Sequence, residues 1–295
     1  MKKQAALLIC LLALSFLGGC GSSGEPAQIA ATTLPVYEFT SRLCSGTGLT
    51  VTRLVTEQVS CLHDYSLNVN QVKAAEAAET VVISGAGLEE FLDDVLLNAD
   101  VIDASQDIQL ICPEEDHHAQ EDHDHEGHHH DQDPHIWLSP ENAKRMARNI
   151  CAGLRQRYPE HAAVFEENLA LLTEELDDLQ AYGQETLESL RCRELITFHD
   201  GFAYLADSFQ LTILEAVEEE SGSEASAQEM KHLITLTREH DLPAIFTEVS
   251  GSVSAAGVIS RETGASVYQL DMAMAGDSYF TAMYHNIDTI KEALG

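Results

Sequence analysis

Residues 161–190 read HAAVFEENLALLTEELDDLQAYGQETLESL, and this stretch predicts one long helix. Its apolar residues recur at spacings of three and four as far as Leu179, and Leu187 and Leu190 extend the same helix face. They are Phe165, Leu169, Leu172, Leu176, Leu179, Leu187 and Leu190. Gly183 is the only weak helix former, and no proline interrupts the stretch. At 1.5 Å per residue such a helix would be roughly 45 Å long, enough to run the length of a domain.

Strands and shorter helices alternate on both sides of this helix. Before it, β-like runs at 29–34, 49–55, 81–84 and 101–103 alternate with helical patterns at 35–43, 70–79, 88–97 and 140–158. After it, runs at 194–198, 211–217, 244–247 and 266–270 alternate with helical patterns at 202–208, 227–239, 253–263 and 278–294. Such alternation is typical of parallel βαβ units with right-handed crossovers. We therefore expect an α/β protein with two βαβ-type lobes, residues 28–159 and 191–295, whose parallel-rich sheets are joined by one long rigid helix at 160–190.

The N-terminal residues have the pattern of an export signal. Lys2 and Lys3 precede an apolar run over residues 5–17, so residues 1–19 are expected to be a signal peptide. The run ends in Leu17-Gly18-Gly19-Cys20, which resembles the lipobox of bacterial lipoproteins. Lipidation of Cys20 would anchor the protein on the outer face of the bacterial cell membrane, with residues 20–27 as a flexible tether. The alternative is a plain signal peptide with an incidental cysteine.

The charge of the chain limits its partners. The formal net charge is −33, from 49 acidic and 16 basic residues. Nucleic acid and anionic membrane surfaces would be repelled, so we expect no nucleic-acid partner and contact with a membrane only through the lipid anchor. Cations are the natural ligands of such a protein, although a solvated acidic coat explains most of the individual carboxylates.

Five cysteines lie beyond the N-terminal segment. They are Cys44, Cys61, Cys112, Cys151 and Cys192. An odd number leaves at least one thiol unpaired or shared, and spacing alone does not give the pairing. The sequence contains no Cys-x-x-Cys motif of the kind used by zinc ribbons and redox proteins. We therefore expect these cysteines to be structural.

A histidine-rich loop occupies residues 113–134. Seven histidines alternate there with Asp and Glu and have no apolar neighbours, so we expect them to be solvated and able to meet a divalent cation in many arrangements. They are His117, His118, His123, His125, His128, His129 and His130. The tract would gather metal weakly as an auxiliary site. The alternative is a solvated loop with incidental metal affinity.

His135 differs from these histidines because Pro134 stiffens its approach and an apolar Ile-Trp pair follows it. Three further candidate ligands follow apolar strands or lie in their loops, namely His63, His199 and Asp271. Ligands of open α/β sheets bind beyond the carboxyl ends of strands, so these side chains are expected to meet in the cleft between the lobes. Three imidazoles and one carboxylate suit tetrahedral Zn²⁺, whereas Mn²⁺ prefers more oxygen ligands.

Four segments of the chain resemble, in order and spacing, the signature segments of zinc and manganese substrate-binding lipoproteins of ABC transporters. They are His63-Asp64-Tyr65, the run 133–140 (DPHIWLSP), the run 198–202 (FHDGF) and Leu270-Asp271. The resemblance implies two α/β lobes around a buried metal held by His63, His135, His199 and Asp271. It also implies capture of Zn²⁺ and its delivery to an ABC permease with its ATPase subunits. We expect the protein to be a monomer. Zinc-specific members often carry a histidine-rich loop at the same place.

The sequence departs from the family pattern at three positions. Leu62 and Leu67 stand where prolines commonly flank the first ligand, and Met272 stands where proline commonly follows the last one. Manganese-preferring members tend to carry glutamate at the third ligand, so His199 favours zinc. Glu248, which also follows an apolar strand, is a candidate for an additional or neighbouring group. Asp64 and Asp200 are expected to stabilise loops or to accept imidazole protons.

Other functions remain compatible with parts of this pattern. A manganese transporter component or a metal-dependent surface adhesin would use the same site. A zinc hydrolase would keep one metal position open for water, but the sequence contains no His-Glu-x-x-His motif and no Ser or Cys nucleophile motif. We therefore expect a binding protein and no enzyme. The remaining histidines are expected to be ordinary surface or core residues: His161, His232, His240 and His285.

Overall fold

A computed structural model describes residues 27–57, 62, 65–97, 99–112, 132–217, 226–249 and 251–295. The expected signal peptide, Cys20, His63, Asp64 and the histidine-rich tract at 117–130 lie outside the described residues. Within the described ranges, no helix is long and apolar enough to cross a membrane.

The N-terminal lobe is built on a four-stranded parallel sheet. Its strands are β1 (Ile29–Ala31), β2 (Val51–Arg53), β3 (Thr80–Ile83) and β4 (Val101–Asp103), in the order β2-β1-β3-β4. The helices are α1 (Leu34–Leu43), α2 (Val69–Ala77), α3 (Asp93–Leu96) and α4 (Pro140–Arg157). α4 begins as its sequence predicts, because the Ser139 hydroxyl accepts the backbone N–H of Asn142 and Pro140 opens the first turn.

The C-terminal lobe repeats this topology. Its strands are β5 (Glu194–Thr197), β6 (Thr212–Ala216), β7 (Ala244–Glu248) and β8 (Ser266–Leu270), all parallel and in the order β6-β5-β7-β8. The chain therefore changes direction across each sheet at the same place, between β1 and β3 and between β5 and β7. Ligands of parallel sheets bind at the carboxyl ends of the strands beside such a switch point.

The connecting helix α5 spans Ala162–Leu187, slightly shorter than predicted. Its residues Leu172, Leu176 and Leu179 are buried, and it packs against α4 and against the last helix of the chain, α9 (Tyr279–Leu294). The other helices of the second lobe are α6 (Ala203–Ser208), α7 (Ala227–Glu239) and α8 (Ser254–Thr263). One continuous apolar core contains residues of both lobes, including Phe39, Trp137 and Phe202. The fold class predicted from the sequence is confirmed.

The segment 88–97 corrects the predicted helix. It forms a 3₁₀ turn at Glu90–Leu92 followed by the single turn of α3. The Glu89 carboxylate points into the lobe, where it accepts hydrogen bonds from the Thr32 hydroxyl at 2.7 Å and from two backbone N–H groups. This contact fixes Glu89 in a non-helical conformation, φ −102° and ψ 35°, so a regular helix cannot start there. The predicted strand 29–34 is also too long, since β1 ends at Ala31.

Candidate metal centre

His135 lies in the cleft between the lobes, directly before a 3₁₀ turn at Ile136–Leu138. Its side chain is buried, with 2% of the residue exposed. The backbone N–H of His135 donates to Asp133 Oδ1 at 2.8 Å, and the same oxygen lies 2.8 Å from the ring Nδ1. The imidazole is therefore held in one orientation, as the sequence around Pro134 predicts.

Trp137 ties this segment to the second lobe. The indole Nε1 donates to the carbonyl oxygen of Met272 at 2.7 Å, and the Tyr279 hydroxyl donates to the carbonyl oxygen of Trp137 at 2.8 Å. Both contacts are buried. The segment that carries His135 is consequently fixed against the segment that follows Asp271.

His199 follows β5 at the carboxyl end of that strand. Its backbone is extended, and the Thr197 hydroxyl donates to its carbonyl oxygen at 2.9 Å. The ring packs edge to face against Phe202, and Nε2 lies 3.8 Å from Asp200 Oδ1. A 3₁₀ turn at Asp200–Phe202 then leads into α6. The short link between strand and helix directs the imidazole toward the other lobe.

The imidazoles of His135 and His199 meet across the cleft. Their ring centres are 5.2 Å apart and their planes are inclined at 79°. Gly201 allows this approach, because a Cβ at that position would lie 2.8 Å from His135 Nδ1 and 2.5 Å from Met272 Cε. Gly201 lies within the FHDGF motif, but the sequence does not show why glycine is needed there. The requirement comes from the contact with His135 of the other lobe.

Asp271 follows β8 and is held by its backbone. Its N–H donates to Asn286 Oδ1 and its carbonyl oxygen accepts from Asn286 Nδ2, both at 2.7 Å. Asp271 Oδ1 accepts the backbone N–H of Ala273 at 2.8 Å, which supports a positive φ of 55° at Ala273. The loop is therefore stiffened by a buried asparagine of α9 in place of the proline that Met272 replaces.

The expected set of four ligands is only partly within the described residues. In that part of the chain, no group of three or more His, Cys, Asp or Glu side chains is arranged to hold a metal. The structure thus brings His135 and His199 together and does not bring Asp271 into such a group with them. His63 lies outside the described residues. The assignment of all four as ligands stays a prediction.

The residues that flank His63 are anchored. Leu62 is buried in the continuous core, and the backbone N–H of Tyr65 donates to the Leu62 carbonyl oxygen at 3.0 Å. The Tyr65 hydroxyl donates to Glu57 Oε2 at 2.8 Å and accepts from Gln71 Nε2 at 2.6 Å. The Tyr65 hydrogen bond is the main reason that the pKa of Glu57 is lowered. These contacts restrict the ends of the loop where the family has prolines.

The additional candidate that the sequence offers, Glu248, lies at the end of a strand of the second lobe. Glu248 is buried at the end of β7, and its role in metal binding stays untested.

Four described cysteines, Cys44, Cys112, Cys151 and Cys192, form no disulfide. Burial raises the pKa of Cys44 to about 12 and is the main cause that raises the pKa of Cys151 to about 11. Both thiols are thus kept protonated, as structural cysteines are, and are poor metal ligands.

Two parallel α/β sheets joined by a long helix, with one histidine from each lobe in the same cleft, define the class of two-lobed substrate-binding proteins. Comparison with known proteins identifies the family. The chain belongs to the family described as "ZnuA: Zinc-uptake complex component A periplasmic", whose model matches residues 29–293. A family of uptake-complex components is not one of enzymes, which agrees with the sequence analysis.

Individual relatives support the same membership. The zinc-binding lipoprotein AdcA of Streptococcus pneumoniae is 29% identical over 308 residues, which cover 99% of this chain and 61% of AdcA. The chain therefore spans less than two thirds of that relative. The high-affinity zinc uptake system protein ZnuA of Bacillus subtilis is 26% identical, with 99% of this chain and 98% of ZnuA covered. A crystal structure of a zinc-bound ZnuA deletion mutant is 30% identical with a TM-score of 0.75, covering 91% of this chain and 98% of that one.

Proposed function

We propose that the protein captures Zn²⁺ outside the cytoplasm and delivers it to an ABC permease and its ATPase subunits. The observation that carries this proposal is the pair of imidazoles, His135 and His199, 5.2 Å apart between the two lobes. A zinc ion about 2.0–2.1 Å from one nitrogen of each ring would place the two ring centres about 5 Å apart at tetrahedral angles. The names of the relatives, which are zinc-binding or zinc uptake proteins, support the same metal.

His63 and Asp271 complete the proposed ligand set. Three neutral imidazoles and one carboxylate give a tetrahedral, nitrogen-rich site that favours Zn²⁺ over Mn²⁺. With protein ligands at all four positions, the ion keeps no open position for an activated water. A closed site of this kind suits a carrier, whereas a zinc hydrolase needs one open position. Two ligands come from each lobe, so a change in the distance between the lobes would release the ion at the permease.

The ends of the chain fit the same role. We propose that residues 1–19 are a signal peptide, that Cys20 is lipidated, and that residues 20–27 tether the protein to the outer face of the cell membrane. The family description as periplasmic and the name of AdcA as a lipoprotein support this placement. The two lobes, residues 28–159 and 191–295, then act as one monomeric carrier around the connecting helix.

The decisive experiment measures zinc affinity and metal content with and without one ligand. Purified protein should bind one zinc ion tightly, by competition with a chelator, and His199→Ala should weaken this by on the order of 100-fold or more, since four ligands together supply 10–16 kcal/mol in small zinc sites. His232→Ala is the matched control, because His232 also lies in the second lobe but is exposed and faces Glu215. Wild-type protein that binds no zinc, or His199→Ala with unchanged affinity, would overturn the proposal.

A further inference from the structure

We propose that Asp133 is a positioning residue that fixes the tautomer of His135 and thereby sets the affinity for zinc. The inference rests on the function proposed above and adds a residue to it. Asp133 precedes His135 by two positions and does not itself belong to the predicted ligand set. Its effect would be exerted through the ring of His135.

One carboxylate oxygen binds both the backbone and the ring of His135. Asp133 Oδ1 accepts the backbone N–H at 2.8 Å and lies 2.8 Å from Nδ1. A carboxylate acceptor favours a proton on Nδ1, which leaves the lone pair on Nε2 for a metal. Asp133 and His135 are only 8% and 2% exposed, so water does not compete for this contact.

Asp133 is itself fixed by both lobes. Its backbone N–H donates to the carbonyl oxygen of Ile111 at 2.8 Å, and its carbonyl oxygen accepts from the Tyr204 hydroxyl at 2.9 Å. The same hydroxyl accepts the backbone N–H of Ile111 at 2.9 Å. Tyr204 belongs to α6, the helix that follows His199 after the 3₁₀ turn at Asp200–Phe202. The acceptor of the His135 ring is therefore held relative to the element that carries the other imidazole.

The second carboxylate oxygen explains why the effect should appear on metal binding. Asp133 Oδ2 is buried and has no hydrogen-bond partner among the described residues. A buried carboxylate of this kind is stabilised by nearby positive charge. A metal on Nε2 polarises the ring toward Asp133, so the carboxylate stabilises the metal-bound state more than the metal-free state.

The test compares Asp133→Ala and Asp133→Asn with wild type, using Zn²⁺ alone as the probe in chelator competition. Loss of such a contact typically weakens metal binding 10- to 100-fold, and we expect about that for Asp133→Ala. Asp133→Asn keeps an acceptor oxygen but not the charge, so its affinity should lie between the other two. Glu194→Gln is the matched control, because Glu194 Oε2 lies 2.9 Å from the Nδ1 of the surface residue His240. It should leave zinc affinity unchanged.

A second measurement separates positioning from a general structural role. In the metal-free protein, ¹⁵N NMR of His135 should show the proton on Nδ1 in wild type and a mixture of tautomers in Asp133→Ala. If Asp133→Ala does not fold, the affinity and tautomer of Asp133→Asn decide the matter. Wild-type affinity and an unchanged tautomer in a folded Asp133 variant would overturn the inference. Such a result, combined with loss of zinc in His199→Ala, would leave the proposed function intact.

Discussion

Gly201 and His135 belong to different lobes, yet a Cβ at position 201 would lie 2.8 Å from the Nδ1 of the His135 ring. The turn that follows His199 therefore passes against the other imidazole with no room for a side chain. Because the backbone itself makes this contact, the relative position of the two rings depends on a single missing methyl group. The geometry of the proposed zinc site is thus sensitive to a very small change.

Gly201→Ala is expected to weaken zinc binding more than it weakens the fold. The added methyl group must displace the His135 ring or the Met272 side chain, and over-packing of this kind costs about 1–3 kcal/mol. Gly257→Ala is the control, since its Cβ would meet nothing nearer than 3.6 Å, and alanine is the better helix former in α8. Chelator competition should show lower zinc affinity for Gly201→Ala alone. Urea unfolding should show a smaller loss of stability in the same variant. Equal affinities for the two variants would contradict this account.

Glu89 is expected to make the stability of the protein fall as the pH rises. Burial raises the pKa of this carboxyl from 4.5 to about 7, against the opposing hydrogen bonds from Thr32, Ser84 and Gly85. The folded state then holds a proton that the unfolded chain releases, so stability is fully present below about pH 4.5 and is lost as the pH rises through 7. A shift of this size corresponds to at most about 3 kcal/mol.

Glu89→Gln removes this titration. Urea unfolding at pH 5, 6, 7 and 8 should show that the variant gains stability relative to wild type as the pH rises. Glu229→Gln, followed at pH values below 4.5, provides a control of opposite sign, because the Ser226 backbone N–H lowers the pKa of Glu229 from 4.5 and the resulting stability is lost as the pH falls. Parallel pH curves for wild type and Glu89→Gln would show that Glu89 is not the source of the effect.

The histidine-rich tract is expected to be dispensable for tight binding. Replacing residues 113–131 by a Gly-Ser linker of equal length should remove several weak zinc sites and leave one tight site, because His135 and His199 do not belong to the tract. Calorimetric titration with zinc distinguishes the two classes by their affinities. A linker in which each histidine becomes asparagine and the acidic residues remain would separate the effect of imidazole from that of charge. Loss of the tight site would contradict the division into two classes.

Much of the fold follows from local patterns. The sequence predicts α7 and β8 with their observed bounds, and the helix is closed at its start by a capping box between Ser226 and Glu229. The connecting helix α5 is shorter than predicted by only a few residues. The predicted helix at 88–97 is wrong because Glu89 binds the ends of two strands, and a periodic pattern does not contain that contact.

The sequence indicates the candidate residues of the site, but it does not indicate the contacts that hold them in place. Pro134 and the Ile-Trp pair indicate a fixed His135, and the structure buries it beside His199. The contacts of Asp133 depend on Tyr204 and Ile111, which are close only in the folded protein. The absence of a proline after Asp271 likewise predicts a loop that its own sequence does not stiffen. In the structure, Asn286 of α9 holds this loop through hydrogen bonds to the backbone of Asp271.

Asn286→Ala is expected to lower both stability and zinc affinity. Asn286 is fully buried and bonds the N–H and the carbonyl oxygen of Asp271, so its removal leaves two partly buried backbone groups without this partner, at about 1 kcal/mol each. Asn149→Ala is the control, because Asn149 Nδ2 also donates to two backbone carbonyl oxygens, of Ala104 and Gln106, away from the cleft. Urea unfolding should show a loss of stability in both variants, and chelator competition should show weaker zinc binding only in Asn286→Ala. If Asn149→Ala lost as much affinity, the effect would come from general destabilisation, whereas a selective loss would support the Asp271 loop as part of the zinc site.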